Sequence, residues 1–207
     1  MSEANVNTRF EAFCDGVFAI AMTLLVIDIK IPSTVEINST ADLWREISHI
    51  TPSIFAFLLS FAVILITWVN HHNGSKLLKK TSSSAFLYAN GFLLLTVVFI
   101  PFPTSLLGEY LLTRHAAPAV ILYDSVLALQ AIAWVLISKA ALKDGLGKSE
   151  AANIEIRKNG TFGYYAFMLY LVCSILAIWF PLAIASLTTL TWIFWMIIGI
   201  KIKNEEK

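Results

Sequence analysis

The chain has 207 residues, of which 57% are hydrophobic and only 14% charged, with a formal net charge of +1 and a mean hydropathy of +0.73. Soluble domains carry roughly 25% charged residues, so this composition belongs to a chain that lives in lipid. A near-neutral chain without a Lys/Arg stripe offers no electrostatic footprint for nucleic acid, and a length of about one domain leaves little room for an appended soluble enzyme.

The first residues, Met1 to Thr8, are polar and hold only Glu3 as a charge. They lack the basic region and small-residue cleavage site of a signal peptide, so the first apolar stretch is expected to remain as a helix. A helix crossing ~30 Å of hydrocarbon needs about 20 residues. That ruler gives six spans: Phe10 to Ile31, Pro52 to Val69, Ala85 to Leu106, Ala117 to Ile137, Thr161 to Trp179 and Leu182 to Ile200. Pro52 and Pro181 suit first helical turns, and Ser82 to Ser84 offer N-caps. The last two spans are joined so tightly that they form a hairpin. No linker of domain size and no internal repeat separates the spans, so residues 1–207 read as one all-α, six-helix membrane domain.

Lys and Arg are retained on the cytoplasmic side of membrane proteins. Twelve of them fall on one side: Arg9, Lys76, Lys79, Lys80, Lys139, Lys143, Lys148, Arg157, Lys158, Lys201, Lys203 and Lys207. Three, namely Lys30, Arg45 and Arg114, fall on the other. Both termini are therefore expected in the cytoplasm.

The first span carries the chemistry. On a wheel of about 100° per residue, Ile20, Thr23, Leu24 and Ile27 make one narrow stripe. Asp15 falls on the opposite side with Phe18, Met22 and Leu25, so its carboxylate is expected to face a neighbouring helix. Ala12, Gly16 and Ala19 fill the sector between, as close helix approach requires. The second span ends Trp68-Val69-Asn70-His71-His72 at the depth of Asp15, and Asn90 opens the third span at that depth, so Arg9, Asp15, His71 and Asn90 are expected to form a polar network. Pro101 and Pro103 are expected to loosen the last turn of the third span. Asp124, with Gln130 two turns further in, is an intramembrane carboxylate with no partner that the sequence names. Such groups are functional candidates. Cys14 and Cys173 lie in apolar segments without Cys/His metal spacing, so neither a disulfide framework nor a metal site is indicated.

Arg9 with Phe13-Cys14-Asp15, the Val17-Phe18-Ala19-Ile20-Ala21 continuation, the Trp68-x-x-His71 pattern and the Pro101-Phe102-Pro103-Thr104 element together resemble the transmembrane protein 175 family of endosomal and lysosomal potassium channels, in its bacterial single-repeat branch. Cys14 stands where that family has serine, and a thiol is the poorer hydrogen-bond donor.

The resemblance implies a potassium-selective cation channel without a Thr-Val-Gly-Tyr-Gly filter, built as a homotetramer around the first helix of each subunit. It carries the hydrophobic constriction to Ile20 and the threonine one turn outward to Thr23, with Leu24 and Ile27 on the same stripe. It implies potassium as the permeant ion; no cofactor is expected, the absence of His-Glu-x-x-His and Gly-x-Ser-x-Gly patterns argues against an enzyme, and the expected location is the plasma membrane. Asp28 at the outer mouth would form a cation-attracting ring or a solvated interfacial charge. Asp15 is read as a structural partner in preference to a conducting one, and His71 and His72 as interface residues in preference to a proton relay. The alternative is a secondary cation or proton transporter using Asp15, Asp124 and the histidines. Such folds show repeats and broken mid-membrane helices, and neither is evident here.

Overall fold

The computed structural model describes residues 3–27, 29–30, 37–79 and 83–205. Among these residues eight helices follow in order: α1 Glu3–Leu24, α2 Thr40–His49, α3 Thr51–Ser75, α4 Ser84–Phe99, α5 Pro101–Tyr110, α6 Ala116–Lys143, α7 Glu150–Leu176 and α8 Pro181–Glu205. Among the described residues four stretches are long and apolar enough to cross a bilayer by length and composition alone: α3, the continuous Ser84–Tyr110 stretch, α6 and α7. With α1, which carries Arg9, Glu11 and Asp15, and the α8 hairpin arm, they make the six-helix membrane fold that the hydropathy indicates.

The sequence reading needs four corrections. The first helix ends at Leu24, short of the expected Ile31; residues 25–27 turn, and Ile31 lies outside the described residues. The outer connection contains a helix that the span ruler cannot see, the amphipathic α2. Its N-cap Ser39 accepts from the Asp42 amide at 3.1 Å. The fifth span begins at Glu150 instead of Thr161, because Ser149 caps the Ala152 amide at 3.2 Å and the polar turns before Thr161 pack on α6 outside the apolar stretch. The prolines of the third span do not fray it. Pro101 starts α5 after a one-residue turn at Ile100, and the helix runs on to Tyr110, since proline at a first turn lacks only an amide that would have no partner there.

The core is organised around α6, buried along most of its length and packed on α4, α5, α7 and α8. Its most extensive partner is α7. At one end the α3–α4 and α6–α7 loops are tied together: the Lys79 amide donates to the Leu146 carbonyl at 2.8 Å and the Lys148 amide to the Leu77 carbonyl at 2.9 Å. The Ser83 hydroxyl, which also caps α4, donates to Asp144 in the same place. At the other end the Lys30 ammonium sits 2.6 Å from the Glu109 carboxylate. That hydrogen bond holds the Lys30 ammonium above the usual lysine range and ties the end of α1 to α5.

Candidate functional site: the first helix and its supports

Cys14, Phe18, Ala21 and Leu25 repeat at intervals of four, three and four residues, which is one face of a helix. All four are at most 1% exposed, packed against the rest of the subunit through α3 and α4. The opposite face has no cover within the subunit. Ile20 is 59% exposed, Leu24 37% and Ile27 72%, with Thr23 exposed between them. Phe13 extends the bare stripe inward at 63% exposure. Thr23 turns its hydroxyl back to the Ile20 carbonyl at 2.9 Å, as threonines do inside helices; both lone pairs of the oxygen stay available on the open face. Asp28 lies outside the described residues.

The polar residues at the inner end form two separate pairings. Asp15 Oδ1 accepts from the Trp68 indole Nε1 at 2.8 Å, and His72 stacks on the Trp68 ring with centroids 5.9 Å apart. His71 turns the other way. It is buried among the Phe10, Phe18 and Trp134 rings, and its Nε2 pairs with Asn90 Oδ1 at 3.0 Å. Asn90 donates its amide nitrogen to the Phe86 carbonyl at 2.8 Å, so its oxygen is left to accept from His71. Arg9 and Phe13 are exposed, and Cys14 is buried beside this cluster. The carboxylate is thus held by α3, and α3 is held to α4, through donors of fixed direction.

The partner that Asp15 meets is Trp68, outside the expected set of Arg9, His71 and Asn90. Indole Nε1 is a donor only and lies one turn before His72, so its place in the Trp-x-x-His pattern was the available signal. Asp124, for which the sequence named no partner, accepts from Thr188 on α8 at 2.9 Å. Among the described residues no group of three or more His, Cys, Asp or Glu side chains gathers to hold a metal ion.

Loss of the Asp15 carboxylate leaves the Trp68 donor unpaired at the α1–α3 contact. The pair is exposed in the subunit, so the scale is the net worth of an ordinary hydrogen bond, about 0.5–1.5 kcal/mol. Asp15→Ala is therefore expected to lower the melting temperature of the purified protein more than Asp15→Asn, whose amide oxygen still accepts. Equal melting of the two variants and the parent would show that the pairing carries nothing.

A bundle of apolar helices, with exposed apolar side chains on α1 as on α3, α4, α7 and α8, defines a multispanning membrane protein. Comparison with known proteins makes the class specific. The family described as "Endosomal/lysosomal potassium channel TMEM175" matches residues 9–101. A potassium channel of Chamaesiphon minutus is 40% identical over 186 residues, 88% of this chain and 91% of that protein. A potassium channel of a Chryseobacterium species is 28% identical over 202 residues, 96% of this chain and 97% of that one. The crystal structure of a lysosomal potassium-selective channel TMEM175 homolog from Chamaesiphon minutus superposes with a TM-score of 0.81 at 36% identity, covering 92% of this chain and 96% of that chain. The chain belongs to the TMEM175 family.

Proposed function

We propose that this protein is a potassium-selective cation channel subunit, and that four copies surround a central pore lined by α1. The observation that carries this reading is the bare stripe of Ile20, Thr23, Leu24 and Ile27, opposite a face of the same helix that is at most 1% exposed. The small residues Ala12, Gly16 and Ala19 flank it. They are also exposed, and nothing lies within 4 Å of where a Gly16 Cβ would stand, so a helix from another copy has room to approach.

In this arrangement the four Ile20 side chains make a hydrophobic constriction. Such a ring stops ions by denying them hydration when narrow and passes them when it widens. Thr23, one turn outward, presents hydroxyl oxygens to a partly dehydrated cation. Asp15 and Trp68 fix the rotation of α1, and with it the direction of the stripe. The relatives named as potassium channels support potassium as the permeant ion.

The protein sits in the plasma membrane with both termini in the cytoplasm, in keeping with the bias of Lys and Arg towards that side. Planar-bilayer recording of the purified protein in asymmetric potassium and sodium tests the function. Voltage-driven unitary current steps reversing near the potassium potential are expected. Saturating, stoichiometrically coupled flux without unitary steps would identify a transporter instead. Ser149→Cys should resist a membrane-impermeant thiol reagent applied to intact cells, and labelling from outside would reverse the orientation.

A further inference from the structure

The pore leaves one intramembrane group unused. Asp124 sits about two turns from the outer end of α6, and its side chain is completely buried. One carboxyl oxygen accepts from the Thr188 hydroxyl of α8 at 2.9 Å. The other oxygen is buried without a partner, and no ion pair among the described residues reaches Asp124. Polar groups nearby are already engaged with one another: the Tyr123 hydroxyl pairs with Ser60 at 3.0 Å, and Thr104 donates to Ser60 at 2.6 Å. One turn along α8 from Thr188, Trp192 stacks on Tyr170 of α7 with centroids 6.4 Å apart, and its indole nitrogen is likewise buried and unpartnered. Asp124 is therefore the acid at a three-helix junction of α6, α7 and α8.

An isolated carboxylate charge in such a place is expensive, and one neutral hydroxyl donor does not offset it; a neutral acid costs far less. One carboxyl and one hydroxyl also fall well short of the six or more oxygens that a hard divalent cation collects. We propose that Asp124 is a proton-binding site inside each subunit, separate from the pore: its carboxyl holds a proton while α8 is docked on α6 and α7, and loss of that proton loosens α8.

The titratable side chains facing Asp124 are Tyr123 on α6 and Tyr170 and Cys173 on α7. Ser60 of α3 and Thr104 of α5 are joined to Tyr123 by hydrogen bonds, and α8 through Ile193 brings Thr188 and Trp192. The buried residues of α4 are apolar apart from Asn90 and Thr96. None of these is a cation, and the phenols and thiol become negative when they ionise, so they cannot take the proton's place. The charged residues at the ends of α5 and α6, Glu109, Lys139 and Lys143, are exposed.

The sign of the consequence is fixed. A folded subunit that keeps a proton on Asp124 binds more protons than the unfolded chain over the range where the carboxyl would otherwise be ionised, so this group makes stability fall as pH rises. Other groups titrate in the same range, and the comparison with Asp124→Asn, which mimics the neutral acid, isolates this one.

The test uses the intact protein in lipid. Infrared difference spectra across a pH titration should show, in the parent, the carbonyl stretch of a protonated carboxylic acid that shifts in D2O and is missing in Asp124→Asn. The band should also move in Thr188→Val, because its carbonyl oxygen loses a donor. The parent's melting temperature should fall with rising pH more steeply than that of Asp124→Asn. If Asp124→Asn does not fold, the parent and Thr188→Val spectra decide. Absence of the acid band in the parent at neutral pH, an unchanged band in Thr188→Val, or parallel pH profiles of melting would overturn the proposal. None of these readouts requires ion current, so the site stands or falls apart from the pore.

Discussion

Ile20→Asn is expected to give larger unitary conductance and more leak, and to move the reversal potential towards a weaker preference for potassium over sodium. The side chain is 59% exposed on a helix whose other face is fully packed, so the substitution alters the open stripe without disturbing the core. An amide wets a ring that isoleucine keeps dry, and the barrier that the ring sets is the loss of an ion's hydration shell. Lowering that barrier by ~1.4 kcal/mol raises passage about tenfold, so an effect of that order is the scale to look for. Sodium holds its water more tightly than potassium, which means that a wetter ring relieves sodium more.

Two companions locate the effect. Thr23→Ala removes the hydroxyl one turn outward and is expected to weaken the potassium preference with less change in leak. Met22, half-buried and packed against the core, lies off the stripe. Met22→Ala should leave both quantities close to the parent. If Met22→Ala behaved like Ile20→Asn, the phase of α1 would be wrong, and the assignment of the pore with it.

The sequence made much of this legible, for a physical reason. One wheel separates Phe18 and Leu25 from Ile20, Leu24 and Ile27, and burial divides these five in the same way. Asp15 and Met22, on the back of that wheel, are exposed and half-buried respectively, because the buried face is centred on Cys14, Phe18 and Ala21. Less legible was whatever depends on how helices meet. Asp15 was visible as an acid needing a neighbour, but choosing Trp68 over His71 requires the rotation of α3, which no local pattern encodes. Thr188 is one threonine among several in an apolar hairpin, and only the docking of α8 makes it the donor to Asp124. The amphipathic α2 escaped because ten residues are too few for a ruler built on bilayer thickness. Polar turns before Thr161 looked like loop for the same reason, although the Ser149 cap was there to be read.

Gly163→Leu is expected to be among the most damaging single substitutions in the subunit. On α7, Gly160 and Gly163 lie one turn apart and face Ser138, Val135 and Ala131 of α6. A Cβ built on Gly163 would stand 2.9 Å from Val135 Cγ2 and 3.1 Å from the Ala131 carbonyl oxygen, and one on Gly160 would stand 2.9 Å from Ser138 Cβ. The helices touch here through small residues, the means by which membrane helices gain contact without a hydrophobic drive between them. The Ala131 carbonyl belongs to the backbone of α6 and cannot swing aside, so a larger residue must push the two helices apart along the longest packed seam of the fold. Overpacking of this kind typically costs about 1–3 kcal/mol. Asp124, Gln130 and Ser138 would be disturbed with it, since all three are buried on α6. Gly91 supplies the control. It sits within α4 with nothing inside 4 Å of its built Cβ, so Gly91→Ala should be neutral or raise stability by about 0.5–1 kcal/mol through the lost backbone entropy of glycine. Heating the detergent-solubilised proteins and following the loss of the monodisperse species should place Gly163→Leu well below the parent and Gly91→Ala at or above it. If the two variants melted together, the close approach of α6 and α7 would not be what holds the seam.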